Sequence, residues 1–461
     1  MTKTNLSLTI GQQDSAKPSP HMHSAPGLAR RLGLFDCVLM VLGGTIGVSI
    51  FVLPATVAHL IQRPAVVLMV WGLGGLLSLL GAFTYAELAA RMPFVGGQYI
   101  YLREAFHPAV AFLYGWCMLL VTQTGAIASV AVVTARYLLA LTHLPVKPSV
   151  IICIVLSLMA LINCVGVRSG SMAQNMFAVI KIAAFAVLIA CGWLLSSRRS
   201  LSPSDIPLAS SGLLGSVLSA LPLVLFSYGG IQRIGYIAGE IRNPEKNLPR
   251  GMLLGFLSVV TIYVLVNMIC INSLGIANLA SSMAPVSDAM GHLLGRRGLV
   301  LMDAFIVVSA LGWLSQVMLT APRVYFAMAR DGVFFKSVAW IHPRFRVPIL
   351  AILLQCVWAI AITLSGSYEQ IIRYVMAVDL LFFTLTALSV FIFRRRERKT
   401  GIIPAGQFRV PGYPATPALA ALVSISLVLL QLQRNPRVSL LGFCIAFSGL
   451  PAYYLWKKHN G

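Results

Sequence analysis

Charged residues interrupt this chain so rarely that it reads as a series of apolar runs, most of them long enough to cross a lipid bilayer. Only 10% of its 461 residues are charged and 58% are hydrophobic, whereas about a quarter of a soluble domain is charged. A bilayer offers no water to unpaired backbone groups, so such runs must fold as helices, at about 20 residues per crossing. Charges, Pro and Gly bound them at 33–60, 66–90, 108–141, 150–166, 172–195 and 213–239. A second set follows at 250–275, 294–328, 348–365, 368–393, 414–432 and 438–456. The expected fold class is an all-α integral membrane protein with twelve transmembrane helices. Residues 1–32 are polar and lack the apolar stretch of a signal peptide, so a disordered tail is expected there, with the first span serving as the insertion signal.

The chain carries 35 Lys and Arg against 13 Asp and Glu, a net charge of +22. In a soluble protein that surplus would point to nucleic acid. Here its placement gives a different answer. With a cytoplasmic N-terminus, about 24 of the basic residues fall on the inner side of the twelve spans and about 10 on the outer side, the bias of the positive-inside rule. Arg233 and Arg323 are among those assigned to the inner side. Both termini are therefore expected in the cytoplasm, and no nucleic-acid partner is expected. The run Arg394-Arg395-Arg396 with Arg398 and Lys399 reads as part of a basic cytoplasmic loop, 394–413, lying near anionic lipid.

Little else in the sequence carries catalytic chemistry. The eight cysteines (Cys37, Cys117, Cys153, Cys164, Cys191, Cys270, Cys356 and Cys444) fall in or beside apolar runs without metal-ligand spacing. His59, His107, His143, His292 and His342 sit near helix ends in no metal pattern. No phosphate-binding loop and no nucleophile–base pair is present, so neither an enzyme nor an ATP-driven pump is expected, nor any cofactor or metal.

The informative positions are those that break the apolar pattern. The first span contains Gly43-Gly44-Thr45-Ile46-Gly47-Val48-Ser49-Ile50-Phe51, and the sixth contains Phe226-Ser227-Tyr228-Gly229-Gly230. Small residues often serve only to let membrane helices pack closely. Two clusters at matching places in successive five-span blocks instead point to paired broken helices and an inverted-repeat transporter. A helix restarting at mid-membrane presents free N–H groups and its positive end to a carboxylate. A helix that stops presents free carbonyls to an ammonium group or cation. Together they suit a zwitterion. Asp303 and Asp379 are the clearest acids within the spans, each readable also as a hydrogen-bonded structural group.

Gly-Thr-Ile-Gly-x-x-Ile-Phe of span one resembles the signature of amino acid permeases of the APC superfamily. Several other segments agree with it: Tyr85-Ala86-Glu87-Leu88, Gly96-Gly97-Gln98-Tyr99, Glu240-x-x-Asn243-Pro244, Tyr263-Val264-Leu265-x-Asn267 and Arg323-x-x-Phe326-Ala327. The chain is most similar to bacterial relatives of the L-type amino acid transporters. That resemblance implies the LeuT fold, a ten-helix core over 33–393 (repeats 33–195 and 213–393), and two peripheral helices within 414–461. It implies a sodium-independent transporter of small neutral L-amino acids in the cell membrane, working by alternating access and most simply as an exchanger. Proton-coupled import and antiport of cationic amino acids or amines are the alternatives within the superfamily; a receptor or channel is the rival outside it.

Carried onto this chain, the resemblance assigns substrate binding to Gly44, Thr45, Ile46, Gly47, Val48, Ser49, Phe226, Ser227 and Gly229. Phe226 is the gating aromatic of this set. The family's usual small triplet reads Gly47-Val48-Ser49 here, which keeps the backbone donors but adds side-chain bulk. Lys181 lies in the middle of span five, where a charge costs at least about 2.5–3.5 kcal/mol and demands a partner. In the family a lysine at this place occupies the space of a sodium ion, bonding carbonyls near Gly43 and Gly44, with Ser309 and Tyr263 as further members. Loop 142–149 has no cysteine, so the disulfide-linked heavy chain of animal L-type transporters is not expected. The partners expected are the amino acid substrate and the lipid bilayer.

Overall fold

The computed structural model describes residues 30–195, 212–365, 368–401, 407–434 and 436–460. All but the last three residues of the expected tail lie outside this set, as do Arg198 and Arg199. Among the described residues the secondary structure is helical, with one isolated bridge between Leu32 and Ile241.

The first half comprises α1 (Leu34–Thr45), α2 (Ser49–Ile61), α3 (Pro64–Arg91), the short α4 (Gln98–Ala105), α5 (Pro108–Cys117), α6 (Gln123–Thr142), α7 (Pro148–Cys164) and α8 (Val167–Leu195). A π-helical segment, Met118–Thr122, joins α5 to α6 as one rod. The second half follows with α9 (Gly212–Ser227), α10 (Arg233–Tyr236), α11 (Pro244–Leu274), α12 (Ile276–Ser281), α13 (Pro285–Thr320), α14 (Pro322–Arg330), α15 (Ile349–Leu364) and α16 (Tyr368–Thr400). Last come α17 (Ala415–Arg434), α18 (Pro436–Phe447) and α19 (Gly449–Asn460). Proline opens α3, α5, α7, α11, α13 and α14. Its missing N–H costs nothing at the first helical position and its φ is already helical.

Among the described residues seven helices are long and apolar enough to cross a membrane, or eight if the bent pair α1–α2 counts as one span; α7, α9 and α15 are shorter and also apolar. Their outward faces are apolar as well: Leu76, Ile154, Leu161, Trp193, Leu257 and Val357 are all exposed. Water would penalise that surface, and hydrocarbon does not.

Three boundaries differ from the sequence reading. The run expected at 294–328 begins at Pro285, because the chain turns at Gly295 (φ 66°) and a preceding helical stretch docks there. The run expected at 213–239 stops as a helix at Ser227. The basic loop expected from 394 is helical to Thr400.

One end of the bundle, where α1 begins and α3 ends, collects the arginines. Glu87 is 1% exposed and accepts from Arg91 (2.9 Å), Arg394 (2.6 Å) and the Val410 amide (2.6 Å). Glu397 holds Arg91 at 2.6 Å and Arg409 at 3.1 Å. These bonds fasten α3, α16 and the segment leading into α17. Arg396 donates to the Glu104 and Ala105 carbonyls, while Arg395, Arg398 and Lys399 remain exposed. Arg103 and Tyr99, both on α4, bind Asp331. Burial pulls the Arg103 guanidinium down, but the adjacent Asp331 outweighs it and holds the group above its ordinary value.

At this end α1 lies against α11 at backbone distance. A Cβ on Gly251 would fall 2.4 Å from the Cys37 Cβ, and one on Gly255 would fall 2.7 Å from that of Val41. We expect Gly251→Ala to destabilise the protein by about 1–3 kcal/mol through overpacking, read as an earlier thermal transition in detergent. An unchanged transition would mean that α1 yields easily at this contact.

Candidate functional site

The first span breaks where its glycines cluster. Helix α1 stops at Thr45, α2 starts at Ser49, and the two axes differ by 47°. An α-helix leaves the carbonyls of its last turn without partners. Here the Ile46 amide takes the Leu42 carbonyl, and the chain's own side chains reach the others. The Gly43 carbonyl receives Lys181 Nζ at 3.4 Å, and the Gly44 carbonyl receives Arg233 Nη1 at 2.5 Å. The Thr45 carbonyl receives Tyr263 Oη at 3.1 Å, and the Ile46 carbonyl receives Lys181 Nζ at 2.5 Å. Lys181 is 1% exposed and has no acidic partner among the described residues. Two protein cations thus sit at the negative end of α1, where the helix dipole favours positive charge.

The start of α2 is the opposite case. Its first turn has no side-chain cap, and the Val48, Ser49 and Ile50 amides carry no hydrogen bond among the described residues. Across from it, α9 ends at Ser227 and the chain turns through Tyr228–Gln232 before α10. The Ser227 carbonyl receives Tyr263 Oη at 3.2 Å, whereas the Tyr228 and Gly229 carbonyls have no partner among the described residues. Gly230 has φ +126°, and a Cβ there would lie 2.6 Å from the Gly44 oxygen, so only glycine lets the two breaks meet. Ser49 Oγ and Ser227 Oγ are 2.9 Å apart and bridge them directly.

Among the residues expected to bind substrate, exposure separates two groups. Gly44, Thr45, Ile46, Gly47 and Ser227 are buried. Val48, Ser49 and Gly229 keep accessible surface, and the Phe226 ring is 48% exposed. Gly44 offers no open carbonyl, and the space beside it is filled by Gln316, 2.9 Å from where its Cβ would be. The bulk added at Ser49 becomes the bridge to Ser227. Lys181 bonds Gly43 and Ile46 rather than Gly43 and Gly44. Ser309 is 0% exposed, and its hydroxyl has no partner, so it does not join Lys181.

Arg233 corrects the sequence reading. Counted there as an inner-side topology residue, it lies at the break, over the Trp313 ring at 5.0 Å. Its position one turn after Gly230 was the available signal. No acid, Asp379 included, forms an ion pair with it among the described residues. Asp303 accepts from Ser287 at 2.7 Å, outside this cluster. Among the described residues no group of three or more His, Cys, Asp or Glu could hold a metal.

Residues 32–446 match the family model described as amino acid permease. The human b(0,+)-type amino acid transporter 1 is 29% identical over 443 residues, covering 94% of this chain and 89% of the relative. The serine/threonine exchanger SteT of Bacillus subtilis (strain 168) is 28% identical over 438 residues, covering 94% and 98%. The human cystine/glutamate transporter is 27% identical over 468 residues, covering 97% and 91%.

Proposed function

This chain belongs to the amino acid permease family, and from that premise we propose that it exchanges small neutral L-amino acids across the cell membrane without sodium. It is a membrane transport protein rather than an enzyme. The observation that carries the reading is the pairing of the uncapped α2 N-terminus with the open Tyr228 and Gly229 carbonyls, across the Ser49–Ser227 bridge. Three N–H groups at a positive helix end suit a carboxylate, and two carbonyls suit an ammonium group. No charged side chain is needed for either.

In this reading ten of the twelve apolar runs form a LeuT-like core over 33–393, from repeats 33–195 and 213–393, and the last two are peripheral helices. Both termini lie in the cytoplasm, at the arginine-collecting end. Lys181 takes the place of a coupling ion, which supports sodium independence. The chain works without a disulfide-linked partner. Proton-coupled import is the second reading, favoured by one observation: Lys181 is buried without an acid among the described residues, so its proton can leave without stranding a carboxylate.

Purified protein in liposomes distinguishes the two. Liposomes preloaded with unlabelled neutral amino acid are expected to accumulate the labelled form far above empty ones, with or without sodium. Accumulation in empty liposomes driven by a proton gradient alone would overturn exchange in favour of import.

A further inference from the structure

Arg233 carries more donors than capping α1 requires. One N–H, at Nη1, satisfies the Gly44 carbonyl. Nε is buried with no partner, and no acid lies within ion-pair distance of the guanidinium among the described residues. A guanidinium has five N–H groups in a fixed planar fork. The Trp313 ring beneath it, 5.0 Å away and 5% exposed, sets the orientation of that plane. Buried donors are ordinarily satisfied, and exceptions point to an absent partner.

The surroundings indicate where that partner enters. Arg233 keeps some accessible surface although it lies inside the bundle, between the end of α1 and α13. Val48, Ser49, Phe226 and Gly229, at the two breaks, also keep accessible surface. An accessible guanidinium at a mid-bundle break faces internal space rather than lipid. Asp379 makes no ion pair with it.

We propose that Arg233 determines the side-chain selectivity of the site: its unpaired N–H face receives a side chain ending in an oxygen acceptor and repels a cationic one. This inference rests on the zwitterion site proposed above and adds the substrate class to it. Glutamine is favoured over leucine of similar size because it supplies the missing acceptor. Lysine is excluded because its ammonium would approach a permanent cation in a low-dielectric space.

The test is competition against uptake of a labelled neutral amino acid in liposomes, with glutamine, leucine and lysine as competitors. For the wild-type protein, glutamine is expected to compete at least about tenfold better than lysine, and better than leucine, since an unpaired polar group in a site discriminates strongly. Arg233→Met should bring glutamine and leucine together and admit lysine. Arg233→Lys should keep lysine excluded while losing the preference for glutamine. Ratios within each variant remove differences in folded yield. Lysine competing as well as glutamine in the wild type would overturn the inference even if neither variant folds. So would unchanged ratios in Arg233→Met. If no amino acid is taken up by the wild type, the proposed function itself fails; unselective uptake overturns only the role of Arg233.

Discussion

Lys181→Ala is expected to lower the uptake rate per folded molecule by roughly 10- to 100-fold, since a hydrogen bond to a charged group contributes about 1.5–3 kcal/mol. The amine of Lys181 bonds the Ile46 and Gly43 carbonyls at 2.5 and 3.4 Å. Without it, two oxygens at the end of α1 lose their donor in a region sealed from water. Of the side chains on these carbonyls, Arg233 and Tyr263 then remain. The measurement is initial uptake into liposomes, normalised to the monodisperse fraction recovered from detergent. Uptake that matches the wild type after this normalisation would return Lys181 to a packing role.

Arg323→Ala is expected to act on stability instead. Arg323 Nε lies 2.9 Å from Glu240 Oε1, and Nη2 lies 3.4 Å from Oε2, with both side chains 0% exposed. The guanidinium also donates to the Leu319 carbonyl. Removing one member of such a pair strands the other charge away from water and costs about 3–5 kcal/mol. Native proteins keep only about 5–15 kcal/mol in total, so folded yield should collapse or the thermal transition fall steeply. The double variant Glu240→Gln, Arg323→Met removes both charges and should melt above Arg323→Ala. A single variant as stable as the wild type would show that water reaches the pair.

The sequence revealed the first break because three glycines within five residues cannot sit quietly in an apolar helix. It revealed Lys181 for a similar reason, as a charge far from either end of its run. Arg233 was misplaced because a basic residue near a helix end looks the same whether it faces cytoplasm or a break. Only the fold shows that Gly44 lies within reach. The Glu240–Arg323 pair was hidden for another reason: its members are 83 residues apart, Glu240 after α10 and Arg323 in the first turn of α14. Helix α4 was missed because its sequence, Gln98-Tyr99-Ile100-Tyr101-Leu102-Arg103-Glu104-Ala105, lacks the apolar density that identified the others. The part of α13 ahead of Gly295 was missed because Asp288, His292 and Gly291 interrupt its hydropathy.

Glu240 is held through its backbone as well as its side chain. Its carbonyl accepts the Arg31 and Leu32 amides at 2.9 and 3.2 Å, and the Arg242 amide returns a bond to Leu32 at 2.8 Å. The lead-in to α1, the exit from α10 and the α13–α14 rod therefore share one residue as a common knot. Any motion that swings α1 away from this end must undo the backbone stitches, and any motion that separates α10 from α14 must undo the ion pair. Because both sets of bonds converge on Glu240, partial opening exposes an unpaired charge without the water access that full opening would provide. Half-open states at this end are thus disfavoured, and its transition should resemble a latch with two positions more than a door that swings by degrees.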